Sequence, residues 1–528
     1  MAALAVCIGA VCLAGSTWAD KDYQEGWVAG DFHQHTTYTD GSNSMKTVMY
    51  KNNQFGLDWW ANSEHGGASG SDARGPLTIN GPYDVNGGIP WSKYLAGTIL
   101  GDANSGNNFG ANMWRWQVIR DYSFWDVMYA GALLSKPVIQ GLEWNAPGHE
   151  HCSTSIIANQ FDSSKPNANP VAQFEYLFDA SDKDVSGGLA QGWTGKITTN
   201  NHAKAVAAIS WMQQNYKTTG WMVPAHVERK QPGSGGYSIS DFRDFNNAGP
   251  DVCFGFESMP GHQKDPSRGG YTPTAVGGGT YGGTGIYAAA VGGLWDALLG
   301  EGRHWWLFAS SDFHETGNDF WPGEYQKAYT YVADKKNPQA IVDGLRSGNS
   351  FVVEGDLIDG LDFEASPTGW SSHFGASATM GQSLVVDKSK SSNNVNITIR
   401  FHSPETNNNG DHVQLDHIDL IAGQVTGTVL PASADYNNPT NATTQVIATF
   451  NRHDWRRDQD GWYYVQFEMK LTANAYFRLR GTNMPRNTPN QTDAAGNPLL
   501  DSLVGPNNAQ EAFRDLWFYS NPIFVSVR

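Results

Sequence analysis

Carboxylates and imidazoles recur along this 528-residue chain in a pattern that points to metal chemistry. Asp31-Phe32-His33-Gln34-His35 comes first, with Asp40 close behind. Glu64-His65, Glu143, His149 and His151, His226, Glu257, and Asp312 with His314 follow. Mixed nitrogen and oxygen donors of this kind suit Zn, Mn or Fe, and a carboxylate such as Glu143 can bridge two ions. Ten of the fifteen histidines precede Glu315. Fifteen histidines in 528 positions give about 0.4 His-x-His pairs by chance, so one pair carries little weight. Here there are two pairs and an Asp-x-His, each near the end of an apolar run. A lone His65 or His226 is more often a satisfied core or surface histidine; joint occurrence is what favours ligation. His202, His262 and His304 lack motif support and receive no role. His373, His402, His412, His417 and His453 stand in polar or solvent-facing contexts.

These residues need elements that bring them together. From about Trp27 to Phe363, short apolar runs alternate with helical periodicity. The runs predict strands over Trp27–Phe32, Leu57–Asn62, Pro137–Glu143, Met222–Ala225, Val252–Glu257 and Trp305–Ser310. Helices are predicted over Met113–Ala130, Ala203–Gln214 and Tyr287–Leu299. Alternating strands and helices imply a parallel sheet or barrel. In a strand, residues i and i+2 point to one side, so His33 with His35, or Asp312 with His314, can grip one ion from one strand end. In a βα barrel the C-terminal strand ends converge on one face. From about Gly381 the period becomes two: Asn394–Phe401, His417–Ile421, Gln445–Phe450, Trp462–Leu471, Tyr476–Arg480 and Pro522–Val527 predict an antiparallel β-sandwich. The Ser-, Gly- and Thr-rich stretch Ala365–Asn393 marks the boundary, giving a first domain over 20–365 and a second over 366–528.

Composition narrows the class. Charged residues make up 16%, Gly numbers 59 and Trp 20, which excludes a polyelectrolyte or a coiled coil. A net charge of −17 argues against duplex nucleic acid as a partner. Met1–Ala19 is uncharged, apolar and ends in small residues, as a signal peptide does, so the expectation is secretion to a periplasmic or extracellular location. No later segment is apolar enough to span a membrane. Of the four cysteines, Cys7 and Cys12 lie in that leader, leaving Cys152 and Cys253 as either one bridge or two buried thiols.

His33-Gln34-His35 with Asp40-Gly41, Ser63-Glu64-His65, Gly141-Leu142-Glu143, Pro224-Ala225-His226 and Ser311-Asp312-Phe313-His314 resemble, in order and spacing, the motifs of the polymerase-and-histidinol-phosphatase (PHP) superfamily. Ile341–Gly355 resembles the closing segment of its secreted, carbaryl-hydrolase-like members. The family usually has Thr-Asp-His where this chain has Ser63-Glu64-His65, and His-Pro where it has His226-Val227; neither change removes a ligand. The resemblance implies a distorted seven-stranded (β/α) barrel, two or three divalent metal ions and phosphoester hydrolysis. It implies that His33, His35, Glu143 and Asp312 hold one ion. Glu143, His226 and either His149 or His151 hold a second, and Asp40, His65 and His314 a third. His151 is preferred over His149.

Clustered cations lower the pKa of a shared water and neutralise charge on phosphoryl oxygens, so a metal-bridged hydroxide is the expected nucleophile and Glu143 and Asp312 its key supports. Arg229 is the first candidate to bind the phosphate of a small-molecule substrate, ahead of Arg74 and Arg268. Glu64 and Glu257 are candidates to lie behind the ligands. The Gly- and Asn-rich segment 66–110 reads as a wall or lid of the pocket. Trp91, Trp114, Trp116 and Trp125 could stack on substrate, although core packing is the commoner use of such a stripe. The expected function is a secreted metal-dependent phosphoesterase. The alternatives are hydrolysis of a non-phosphate ester, carbamate or amide at the same site, or a metal-stabilised protein that binds a surface or glycan.

Overall fold

The computed structural model describes residues 25–74, 88–94, 97–104, 112–158, 169–368, 377–387, 393–501 and 509–528. The candidate leader and His373 lie outside these residues, as does much of the expected boundary and of the 66–110 segment.

The chain folds as a mixed α/β structure around one large sheet, with a separate five-stranded antiparallel sheet and several small ones. At the heart of the large sheet Gly26–Asp31, Trp59–Asn62 and Val138–Asn145 run parallel, registered Gly30 to Trp59 and Trp60 to Val138. Gly30 is required there, because a Cβ would stand 2.1 Å from the Trp59 ring. His151–Ile156 and Gly220–Pro224 extend this side antiparallel. Gly255–Met259 and Trp306–Ala309 form a parallel pair of their own. It abuts Gly220–Pro224 through Met222 N–H to Val252 O (2.7 Å) and the far end of Gly26–Asp31 through His35 N–H to Phe313 O (2.8 Å). All six strands expected in this half exist within a few residues of their predicted ranges, since their apolar runs are buried on both faces.

Two helices differ from expectation. The one predicted over Met113–Ala130 starts at Arg115, contains a π-helical turn at Ile119–Ser123 and runs to Leu134, where Ser135 turns left-handed. The one predicted over Tyr287–Leu299 is two short helices, Ile286–Ala289 and Leu294–Gly300, parted by Gly292 at φ +80°. Apolar periodicity continues across both breaks, which is why the sequence reads as unbroken helix.

On its other side the large sheet continues from Gly26–Asp31 to Gln326–Val332, then Ser350–Glu354, Trp517–Ser520, Ala475–Thr482, Ile523–Val527 and Ser383–Val386. His417–Gln424 and Gln445–Asn451 add to the Ala475–Thr482 edge. Strands on both sides of residue 365 therefore belong to one sheet. The five-stranded sheet contains Gly360–Pro367, Asn394–His402 and Tyr463–Lys470, whose alternate residues Leu361, Phe363, Val395, Ile397, Ile399 and Phe401 are buried in a core shared with Phe351, Val353, Leu479 and Phe518 of the large sheet. Arg478 on Ala475–Thr482 pairs with Asp296 on Leu294–Gly300 through Nε (2.8 Å) and an Nη (2.7 Å), both fully buried. Cys152 and Cys253 are buried free thiols.

Candidate metal centre

The cluster is assembled from chain segments that leave the first-half strands. His33 and His35 follow Gly26–Asp31, His65 follows Trp59–Asn62, and His226 follows Gly220–Pro224. Glu143 lies within Val138–Asn145, His151 opens its strand, and Asp312 and His314 follow Trp306–Ala309. Asp31 ties two of these ends together, its carboxylate accepting from His33 N–H and Ser311 N–H at 2.9 Å each. Burial pushes its pKa up to about 6. His226 (φ 36°), Asp312 (φ 45°) and His262 (φ 54°) occupy the left-handed region that side chains rarely adopt. Such backbone strain is concentrated at functional sites.

Glu143 is the node. Its Oε1 lies 3.1 Å from His33 Nε2, 2.7 Å from His151 Nδ1 and 3.2 Å from His226 Nε2. Its Oε2 lies 3.1 Å from His35 Nε2 and 2.8 Å from His65 Nδ1. Asp312 Oδ1 is 3.1 Å from His33 Nε2 and 3.4 Å from His35 Nε2. Asp40 faces His35 Nδ1 (3.3 Å), His65 Nε2 (3.2 Å) and His314 Nε2 (3.5 Å).

The donors fall into overlapping sets, each with its ligand atoms mutually within 4.8 Å: His33, His35, Glu143 and Asp312; His35, Asp40, His65 and His314; His65, Glu143 and His151; Glu150, His151 and His226. The first two contain the sets that the motif resemblance implies for the first and third ions, with His35 added to the latter; the members implied for the second ion are divided, Glu143 with His151 in the third group and His226 with His151 in the fourth. His151 lies in the cluster. His149 lies outside it, 2.8 Å from His202.

The residues fit metal. His33 Nε2, His35 Nδ1 and Nε2, His65 Nδ1, His151 Nδ1, His226 Nδ1, Glu143 Oε2 and Asp312 Oδ1 are all buried and, although they face one another at ion-pair distance, none makes a well-aligned hydrogen bond. Each such group costs roughly 1–3 kcal/mol, so a cluster of them needs protons or cations to be stable. Burial opposes charge on His33, yet Asp312, Glu143 and Glu257 outweigh it and raise its pKa well above the usual imidazole value. Against the same burial, Glu143 and Asp40 raise His65 to about 10. Glu143 and Asp312 are held well below the usual carboxylate range, because the surrounding imidazoles outweigh their burial. His226 differs: burial and then the nearby Arg229 lower it to about 3, so the ring is neutral, with one nitrogen protonated and the other offering a lone pair.

Behind the donors, Glu257 Oε2 meets His33 Nδ1 at 3.0 Å and accepts from Ser310, while Glu257 Oε1 accepts from Ser153. His314 Nδ1–H donates to the Asp312 carbonyl at 2.8 Å, turning Nε2 toward Asp40. Glu64 is not in the cluster; it takes hydrogen bonds from Thr36, Thr39 and Asn62 and so braces the turn after His35. Arg229 is at the cluster, an Nη 2.9 Å from Asp312 Oδ2, with its Nε buried and without a partner. Arg74 pairs with Asp72, and Arg268 bonds Gln263 and Tyr325, both away from the donors.

Two residues here carry no motif. His262 Nε2 reaches Asp312 Oδ2 at 3.0 Å while its Nδ1 bonds Asp319, and burial notwithstanding these carboxylates raise it to about 9. Glu150 lies 3.4 Å from His226. The available signals were position alone: His262 follows a strand end as His226 does, and Glu150 adjoins His151.

A cleft of about 490 Å³ opens at Asp40 and His65, walled by Ser71, Gly88, Pro90 and Asn112. The described part of segment 66–110 thus forms a wall. Trp91, Trp114 and Trp116 are buried in core clusters, so they pack rather than face a ligand. Trp125 is half exposed. His417 is buried in its strand and bonded to Asp416, not solvent-facing.

No protein-family model matches the chain, and no curated protein matches it. Among solved structures, a two-domain protein from Bacteroides vulgatus ATCC 8482 containing a predicted PHP-like metal-dependent phosphoesterase aligns with a TM-score of 0.34 and 11% identity, over 90% of this chain and 94% of that one.

Proposed function

We propose that this chain is a secreted, metal-dependent hydrolase of PHP type acting on a phosphoester, with two or three divalent ions of Zn, Mn or Fe. The observation that carries the proposal is the nest of buried imidazole and carboxylate atoms centred on Glu143. His33, His35, Glu143 and Asp312 would hold one ion; Glu143, His151 and His226 a second; and Asp40, His65 and His314 a third. Bound divalent ions supply Lewis-acid activation of water and neutralise charge on the ester group. The chain's own residues do the rest. Glu257 keeps the His33 proton on Nδ1 and so directs Nε2 inward. Arg229 holds a positive charge beside Asp312. The cleft at Asp40 and His65 gives a small molecule its approach.

The architecture read into this proposal is a distorted barrel closed by the Gly255–Met259 and Trp306–Ala309 pair, over residues 20–365. A β-sandwich over 366–528 completes it, its five-stranded sheet taking in Gly360–Pro367 from the first part and packing on the large sheet that both parts share. Secretion rests on the character of Met1–Ala19. No helix among the described residues is long and apolar enough to cross a membrane.

A second reading, a neutral ester, carbamate or amide substrate, has one observation in its favour. The cleft lining contains no Lys or Arg among the described residues, and Arg229 is already paired with Asp312. A dianionic phosphomonoester would prefer more cations. Metal analysis with a panel of p-nitrophenyl phosphate monoesters, diesters and carboxyl esters separates the readings. Phosphodiester turnover with bound transition metal is expected. Absence of hydrolysis of every ester after metal loading would sink the enzyme proposal in favour of a binding role.

A further inference from the structure

Apart from the Glu143 cluster, a second set of donors converges where three segments meet: the turn before His151, the start of the helix His202–Tyr216, and the first turn of the helix Ile239–Ala248. His149 Nε2 and His202 Nδ1 stand 2.8 Å apart, and Asp241 Oδ1 is 3.3 Å from His202 Nδ1. All three atoms lie within 4.8 Å of one another.

The remaining polar atoms of His202 and Asp241 are already committed, while His149 Nδ1 is buried without a hydrogen bond. His202 Nε2 meets Asp244 Oδ2 at 3.2 Å, and that carboxylate's Oδ1 accepts from Tyr436 O–H at 2.7 Å. Asp241 Oδ2 accepts from Ser238 N–H (2.8 Å) and Ser238 O–H (2.6 Å) in a capping box, leaving Oδ1 to face the imidazoles. The rings are fixed too. His149 stacks on Tyr237 at 4.9 Å and 9°, and His202 on Phe245 at 5.4 Å and 13°.

A His202 ring that gives its Nε2 proton to Asp244 presents a lone pair at Nδ1. That lone pair then faces a carboxylate oxygen and a second imidazole, an arrangement that a cation between them, or a proton on His149 Nε2, relieves. In a tetrahedral zinc site with Zn–N near 2.0 Å, donor atoms stand about 3.3 Å apart; the His202–Asp241 pair has that spacing, and the two imidazole nitrogens, at 2.8 Å, would move apart to admit the ion. A carboxylate behind the ligating imidazole, as Asp244 is behind His202, is the usual support of such a ligand.

We propose that His149, His202 and Asp241 form a separate zinc site, distinct from the Glu143 cluster. Its fourth position is open to water, since His202 and Asp241 are partly exposed. The site clamps two helix starts to the turn that leads into His151.

The rival is a single proton shared among the same atoms, and zinc counting separates the two. Zinc is titrated into the full-length chain and into His202→Ala and Asp241→Asn, the second of which retains an acceptor for the Ser238 cap. Bound equivalents are measured by elemental analysis, and the same titration with Co²⁺ is followed by visible absorption. The expected result is one equivalent fewer in each variant than in the parent chain, with loss of a tetrahedral cobalt band. Metals held by the Glu143 cluster should be unchanged, so this outcome does not depend on what that cluster catalyses. Equal zinc content in the parent and in either variant that keeps the parent near-ultraviolet circular dichroism would overturn the proposal.

Discussion

Glu143 touches five imidazoles, and its substitution therefore differs from that of any peripheral ligand. Glu143→Gln and Asp312→Asn should each lose metal and lower hydrolysis by more than about 100-fold, beyond the roughly 10–100-fold in metal affinity expected for the supporting Glu257→Gln. Competition with a chelator, read beside turnover, checks that ranking. Ionisation gives a second prediction. The carboxylates raise His33, His35 and His65, the last to about 10, whereas a metal ion binds only the unprotonated ring. Metal affinity should then rise with pH from the ordinary imidazole value near 6.5 towards 10, and loading at pH 7 should release protons. Calorimetry in buffers of different ionisation heat measures that release; loading without it would contradict the prediction. That these residues cluster was legible from the sequence because their types are the ones a metal would take and strand geometry restricts their spacing. His262 was not, since its approach to Asp312 depends on a left-handed backbone after a strand end, and nothing in the spacing encodes that.

At the scale of elements, the first-half strands were readable because strands buried on both faces are continuous apolar runs. The broken helices were not, because the π-turn at Ile119–Ser123 and the gap at Gly292 leave the apolar periodicity intact. The helix Pro338–Ser347 shows how a terminus is enforced. Asn337 caps its start, accepting from Gln339 N–H, and Gly348 ends it at φ +72°. A Cβ on Gly348 would lie 2.4 Å from the Trp306 ring, whose strand leads directly to Asp312. Gly348→Ala should therefore destabilise by about 1–3 kcal/mol through strain and overpacking together. The midpoint of urea unfolding measures it, and an unchanged midpoint would count against this packing.

For the whole molecule, composition and periodicity separated an α/β half from a β half but gave no sign that the two share one sheet. Pairing across residue 365 joins Val352 to Tyr519, a contact that local sequence cannot announce. Two expectations follow from the joint. A fragment ending at residue 365 would expose the Ser350–Glu354 edge and should fail to give cooperative thermal unfolding or a native near-ultraviolet spectrum. Arg478→Met would strand the buried Asp296 carboxylate and should cost about 3–5 kcal/mol, readable as a lowered unfolding midpoint.

The pairing of Gly26 with Val332 bears also on the order of assembly. One neighbour of the strand that delivers His33 and His35 is the nearby Trp59–Asn62. Its other neighbour, Gln326–Val332, is synthesised long after it, and that neighbour pairs in turn with Ser350–Glu354, which awaits Trp517–Ser520. Closing so long a loop is slow and gains nothing until both ends are present. Ligands from the two ends of this topology therefore meet late, so a nascent chain offers scattered histidines rather than a binding centre. Under the proposed function, metal capture would be a late step of folding, after Ser350–Glu354 has paired with Trp517–Ser520.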